Sequence, residues 1–143
     1  MQSEIEPLAP ELEAALRARL AANPFIHFVG IQAAQLGRGY ARFLLPFRPE
    51  LANSIGLLQG GMIAALADET VAYALYSLVR AGETINTVAM KINFLAAVKE
   101  GEVEAVARIT KRGRTISLGE VEVRQGERLV AKAMCTYIHL AKK

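Results

Sequence analysis

The segment Asn53 to Leu78, NSIGLLQGGMIAALADETVAYALYSL, constrains the fold of this chain more than any other. A Gly-Gly step opens a run that is apolar on nearly every helical face and then carries Asp68 and Glu69. A helix apolar all round is buried. Ionised acids are almost never fully buried unless paired or hydrogen-bonded, so the segment predicts a core helix that presents an acid to a pocket. From about Gly60 to Val79 it would be roughly 30 Å long at 1.5 Å per residue, with Ala81-Gly82-Glu83 as its stop. The run Leu57 to Val79 is also long enough to suggest a membrane span. It contains Gln59, Asp68, Glu69 and Thr70, however, and each central acid costs about 2.5–3.5 kcal/mol on insertion. A buried helix of a globular domain is the better reading, with no membrane partner.

One domain over residues 1–143 is expected, residues 1–24 forming an N-terminal helical segment. A 52% hydrophobic content with 22% charged residues describes an ordinary globular core. The net charge of +3 and pI near 9.2 suit an anionic ligand but fall far short of a nucleic-acid footprint. Cys135 is the only cysteine, which excludes an internal disulfide or a cysteine-based zinc site and fits a reducing cytoplasm. Early acids and the lack of a compact apolar stretch argue against a secretory signal at the N-terminus.

Pro10, Glu11 and Glu13 followed by Leu12, Leu16 and Leu20 predict an amphipathic helix to about Ala22, ended by Asn23-Pro24. Ile31–Leu36, the turn Gly37-Arg38-Gly39 and Tyr40–Leu45 read as a hairpin, with Pro46 and Pro49 marking a loop. After the long helix the pattern alternates. Val88, Met90, Ile92 and Phe94; Val103, Ala105, Ala107 and Ile109; Val121 and Val123; and Leu129, Ala131, Ala133 and Cys135 predict four antiparallel strands running as a meander. Turns fall at residues 99–101, 111–114 and 124–127. A long helix between a hairpin and a meander predicts an α+β fold, the helix lying on one face of an antiparallel sheet.

Gly60 and Gly61 stand where the first N–H groups of the helix are unsatisfied and its dipole is positive, so a ligand oxygen could approach them closely. The alternative is a tight strand-to-helix turn. Asp68 lies eight residues beyond Gly60, about 12 Å of rise, so one chain cannot bring both to one reacting carbon. Antiparallel approach of two such helices in a two-fold dimer could, and Ala64, Ala65 and Ala67 are small enough to allow it. Asp68 and Glu69 point about 100° apart, so at most one faces the site. Ion pairs with Arg80 or Lys91 are the structural alternative for both acids.

The order Asn53, Gly56, Gln59-Gly60-Gly61, Leu66 and Asp68, then a strand ending Phe94-Leu95 and a Lys99-Glu100-Gly101 turn, resembles the hotdog-fold acyl-CoA thioesterases of the phenylacetate-degradation (PaaI-like) type. The resemblance spans roughly Ile31 to Leu140. It implies a long central helix wrapped by a curved antiparallel sheet, sites at a dimer interface, dimers often pairing into tetramers, and hydrolysis of an acyl-CoA thioester without a metal or bound cofactor. It further implies Asp68 as nucleophile or general base, Gly60 as the N–H donor to the thioester carbonyl, Asn53 as the side chain positioning the water or the carboxylate, and Thr87 as a hydroxyl near the attacking water. Many members read His-Gly-Gly where this chain reads Gln-Gly-Gly. Gln59 can donate a hydrogen bond but cannot pass a proton near neutral pH, which predicts slower turnover or altered leaving-group handling. Ala89 stands where some members have an acid.

His27 and His139 lie away from the acid motif, which weighs against a hotdog dehydratase, and no G-x-S-x-G elbow is present. The phosphates of coenzyme A require exposed cations, for which Lys111, Arg112 and Arg114 around Gly113 are the candidates, with Lys99 a second choice. Gly61, Met62, Tyr73, Tyr76, Met90 and Phe94 are the candidates to line an acyl pocket, although such apolar residues are core by default. A non-catalytic hotdog protein that binds acyl-CoA is the alternative function, kept open by Gln59. An interaction scaffold gives no reason for the acid in the helix.

Overall fold

The computed structural model describes residues 4–143; Met1 to Ser3, the start of the expected N-terminal segment, lie outside the described residues. Helix α1 (Pro10–Ala21) buries Leu16 and Leu20. The Asn23-Pro24 pair that ends it also starts a short helix the sequence reading did not anticipate, α2 (Pro24–Val29). Proline sits at the first helical position and the Asn23 side chain accepts from the N–H groups of Phe25 and Ile26, a capped start. Strands β1 (Gln32–Gly37) and β2 (Tyr40–Pro46) form the hairpin, and a 3₁₀ turn at Pro49–Leu51 leads to helix α3 (Gly60–Tyr76). Strands β3 (Glu83–Phe94), β4 (Glu102–Arg112), β5 (Ile116–Gln125) and β6 (Arg128–Ala141) follow.

All six strands join one antiparallel sheet in the order β1-β2-β4-β5-β6-β3. This corrects the expected four-strand meander. Only β4, β5 and β6 follow one another, while β2 pairs with β4, and β3 crosses the sheet to pair with β6 at the far edge. Helix α3 lies across β2, β4 and β5 and buries Ile63, Leu66, Ala67, Val71 and Leu75 against Phe43, Leu45, Val103, Val121 and Val123. At Gly119 the sheet is close enough to the helix that a Cβ would stand 2.5 Å from Val71 Cγ1. Only glycine fits at that contact. The result is the helix-on-curved-sheet architecture of the hotdog fold. No helix among the described residues is long and apolar enough to cross a membrane.

Helix α3 is shorter than expected, 17 residues ending at Tyr76 rather than near Val79. Ser77 stops it: its hydroxyl donates to the Ala74 carbonyl and accepts from Gly39 N–H, each at 2.7 Å, so the chain end is tied to the β1–β2 turn. Leu78 N–H then bonds back only three residues, to the Leu75 carbonyl. A polar group competing for the last carbonyls ends the helix before the apolar pattern does.

Beyond Ser77 a partly buried polar clasp joins four elements. Arg112 at the end of β4 donates to Glu83 Oε2 at 2.6 Å and to the Leu78 carbonyl at 3.1 Å. Ser117 Oγ lies 2.7 Å from His139 Nε2, and His139 Nδ1 faces Glu83 Oε2 at 3.4 Å without an aligned hydrogen bond. Ser, His and Glu follow one another here as in a hydrolytic triad, but Ser117 is fully buried and can meet no substrate. Burial, and then the positive Arg112, hold His139 below its ordinary value of 6.5, against the opposing pull of Glu83, while Arg80 adds to the lowering. The Arg80 N–H, more than the Arg112 guanidinium, holds Glu83 below 4.5. For a histidine depressed in the folded state, the unfolded chain binds the extra proton, so its contribution is complete above about pH 6.5 and is lost as pH falls below that. His139→Gln, which keeps an amide to meet Ser117, is therefore expected to narrow the difference in urea midpoint between pH 7.5 and pH 5.5. An unchanged difference would remove His139 from the pH dependence.

Candidate functional site

Asp68 sits on the face of α3 turned toward β3 and β6, half-buried, where two hydroxyls converge on one of its oxygens. Thr87 Oγ1 donates to Asp68 Oδ1 at 2.9 Å, and Tyr137 Oη lies 2.6 Å from the same oxygen and 2.7 Å from the Asp68 carbonyl. Burial first, then the Asp68 charge, push the Tyr137 phenol far above its usual range, so it remains a proton donor. Two donors on Oδ1 fix the carboxylate plane. Oδ2 has no hydrogen-bond partner among the described residues. Neither Asp68 nor Glu69 forms an ion pair among the described residues, so the alternative of pairing with Arg80 or Lys91 does not describe this site.

Thr87 owes its direction to a break in the ladder. Thr87 pairs with Tyr137 and Ala89 with Thr136, so Val88 is an extra residue on β3. A bulge of this kind turns the strand and re-aims the side chain beside it. Asp68, Thr87 and Tyr137 open onto a cavity of about 200 Å³ that continues along α3 past Glu69, Ala72 and Tyr73 to Tyr76, with Arg19, Asn23 and Asn86 on its rim.

The other predicted catalytic residues lie at the opposite end of α3. Gln59 is the N-cap residue of the helix, exposed and without a side-chain cap bond. Gly60 and Asn53 line a separate cavity of about 370 Å³ with Leu57, Ile63, Phe94 and Leu95. The Asn53 carbonyl oxygen of the side chain accepts from the N–H groups of Ile55 and Leu57, both at 3.0 Å, which leaves only its amide donors for another role. Within one chain, then, Asp68 and Thr87 are brought together, and Gly60, Gln59 and Asn53 are brought together elsewhere.

The local fold does not require glycine at the start of α3. Gly60 and Gly61 have ordinary backbone angles, and an added Cβ would meet only the Phe94 ring at 3.5 Å or Gln59 Cγ at 3.9 Å, normal contacts. The tight-turn reading thus finds no support in these angles and contacts, and the two residues leave the first N–H groups of the helix uncovered by side chains of their own.

Of the other candidates, Tyr73 is buried against Phe43 and Tyr76, and its phenol, driven up to about 12 mainly by burial, lines the Asp68 cavity. Met62 faces a groove at the helix start with Phe28 and Gln59. Met90 and Phe94 were expected from their alternation to pack inward; they are exposed, with Val88 and Leu95, on or just after the edge strand β3, which α3 covers less than it covers β2, β4 and β5. Lys111 and Arg114 are exposed cations, whereas Arg112 is committed to Glu83 and two carbonyls and is not available to a phosphate. That corrects its place in the basic turn: β4 continues through Arg112, which turns its side chain into the clasp.

Sequence reasoning did not identify Tyr137, Arg19 or Asn23. Tyr137 carried a signal: it shares the inward face of β6 with Cys135 and His139, and polar tips on a core face need partners. Arg19 and Asn23 carried none, since only a tertiary contact brings the Arg19 side chain to Tyr76 of α3. Tyr137→Phe removes one donor from a half-exposed carboxylate and is expected to lower stability by about 1.5 kcal/mol, at the low end for a bond to a charged group. Urea unfolding measures it; no loss would mean that Thr87 alone holds Oδ1.

Comparison with known proteins places these features in context. A family model described as the thioesterase superfamily matches residues 55–138. A protein of Saccharolobus solfataricus, whose name assigns it provisionally to the esterases, is 30% identical over 113 residues, 78% of this chain and 75% of the relative. The structure of the conserved protein PA5202 from Pseudomonas aeruginosa is 36% identical, covers 85% of this chain and 98% of its own, and has a TM-score of 0.81. The PaaI protein of the E. coli phenylacetic acid degradation operon, at 21% identity, superposes with a TM-score of 0.86 over 95% of this chain and 98% of its own, which speaks to the fold.

Proposed function

This chain belongs to the thioesterase superfamily, and from that membership we propose that it hydrolyses the thioester of an acyl-CoA at a site built by two subunits. The observation that carries the reading is the Asp68 carboxylate, held through Oδ1 by Thr87 and Tyr137 with Oδ2 free toward a cavity. Oδ2 either attacks the thioester carbonyl or takes a proton from a water that does. The carbonyl oxygen, as it gains charge, is met by the Gly60 N–H at the positive end of the partner's α3. Collapse of the tetrahedral centre breaks the carbon–sulfur bond and releases CoA as thiolate; where Oδ2 is the nucleophile, a water then cleaves the acyl–Asp68 anhydride to free acid and regenerates the carboxylate. Gln59 can donate a hydrogen bond there but no proton.

Support for a second copy comes from the edge of the sheet. Strand β3 is 12 residues long, unpaired on its outer side, and bares Val88, Met90 and Phe94, with Val88 53% and Phe94 52% exposed. An exposed apolar edge of that length invites pairing with another chain. Thr87 lies on this strand and Phe94 lines the Gly60 cavity, so two-fold pairing along β3 would set the Asp68 cavity of one subunit near the Gly60 cavity of the other. Lys111 and Arg114 remain as exposed cations for the CoA phosphates. Dimers pairing further into tetramers, and a cytoplasmic setting, complete the proposal.

The test is thiol release from a panel of short aliphatic, long-chain, phenylacetyl and benzoyl CoA esters. Turnover of any of them supports the enzyme. Saturable binding of the esters without turnover supports instead a hotdog protein that binds acyl-CoA.

A further inference from the structure

Resting on the proposed hydrolysis and taking Asp68 Oδ2 as its nucleophile, we infer that Thr87 and Tyr137 form a second oxyanion hole, which directs the attacking water of the second half-reaction to Asp68 Cγ instead of the acyl carbon. The anhydride formed when Oδ2 displaces CoA offers water two carbonyl carbons, one from the substrate and one from Asp68. The carbon attacked is the one whose oxygen is better held as it gains charge.

The Asp68 side is built for that charge. Oδ1, the oxygen left as a carbonyl once Oδ2 is acylated, receives Thr87 Oγ1 at 2.9 Å and Tyr137 Oη at 2.6 Å. These are hydrogen-bonding separations for a hydroxyl on an anionic oxygen. Thr87 and Tyr137 face each other across the β3–β6 ladder, so the sheet fixes the pair. Tyr137 Oη also lies 2.7 Å from the Asp68 backbone carbonyl, and a single O–H proton is divided between the two acceptors. While Oδ1 is a neutral carbonyl they compete on similar terms. When Oδ1 becomes an alkoxide the proton turns to it, and the interaction strengthens in the transition state. Burial holds the Tyr137 phenol far above its usual range, so it donates without surrendering its proton.

The acyl carbonyl has less support. In the proposed site it meets one backbone N–H, that of Gly60, and Gln59 beside it is exposed and held by no cap bond. Water reaching Asp68 through the cavity therefore bonds to Cγ, Oδ1 takes the charge, and collapse breaks the Cγ–Oδ2 bond. The acyl group leaves as a carboxylate carrying Oδ2, and the water oxygen stays in Asp68. The two protons of the water pass to solvent, one of them balancing the CoA thiolate.

A single turnover in heavy-oxygen (¹⁸O) water, with enzyme in excess over the best ester of the CoA panel, reads this step by mass spectrometry. The expected result is one heavy oxygen in the peptide containing Asp68 and none in the released acid. Label in the acid with Asp68 unlabelled would overturn the inference and leave hydrolysis standing, whether water had attacked the anhydride's acyl carbon or the thioester itself. No turnover of any ester would remove hydrolysis and the inference together. Tyr137→Phe is expected to release about one CoA per site in a rapid burst and then to turn over about 10²–10³-fold more slowly than wild type, because Asp68 is acylated but regenerated slowly. A loss of rate without a burst would limit Tyr137 to aiming the carboxylate and overturn its place in the hole.

Discussion

Asp68→Asn is expected to lower kcat for the best CoA ester by about 10²–10⁴-fold, the usual contribution of a positioned base, while KM changes little. The substitution is unusually clean here. The amide carbonyl oxygen it introduces can accept from Thr87 and Tyr137 as Oδ1 does, so the side chain keeps its orientation and the fold its hydroxyl contacts. What is lost is the second oxygen and the charge, replaced by an amide NH₂ that neither attacks a carbonyl nor accepts a proton. Steady-state kinetics on wild type and variant, with thermal unfolding alongside, separate a chemical loss from a structural one. A variant that retains a tenth or more of the activity would remove Asp68 from the chemistry and leave Thr87, Tyr137 and the cavity without a catalytic role.

The helix, its acid and its glycines were legible because each breaks a local rule. A charged residue in an all-round apolar helix and two poor helix formers at its start are anomalies that sequence displays directly. The strand order was not legible, since β3 pairs with β6 across intervening strands, and alternation states that a face is apolar without saying what covers it. Val88, Met90 and Phe94 show the consequence: they alternate like core residues and stand exposed at an edge. The basic turn failed for a different reason. Three cations around Gly113 look equivalent in sequence, but the strand carries Arg112 inward to Glu83 and leaves Lys111 and Arg114 outside. Tyr137 and Arg19 reach the site through contacts 69 and 57 residues apart in the chain, which no local pattern encodes.

A mixture of two dead variants is expected to recover activity if the site is shared between subunits. Gly60→Val places its Cβ in ordinary contact with the Phe94 ring, so the fold accommodates the branch point, yet the side chain stands where a carbonyl oxygen would approach the N–H. Loss of one such donor costs about 10²–10³ in kcat. Asp68→Asn and Gly60→Val should therefore both be nearly inactive alone. In a mixed dimer one of the two sites receives both substitutions and is doubly damaged. The other combines the intact Asp68 of one chain with the intact Gly60 of its partner. Random pairing of equal amounts, after joint refolding, then restores about a quarter of the wild-type sites. A site contained in one chain would stay dead in every pairing, because each chain carries one lesion. Recovery near one quarter, against a background of nearly inactive parents, thus reads the geometry of the site through its activity. No recovery from a dimeric mixture would place the carbonyl donor within the same chain as Asp68, on a group other than Gly60. A monodisperse monomer at micromolar concentration would lead to the same conclusion without kinetics, since the roughly 12 Å between the two groups along α3 cannot be closed by one helix.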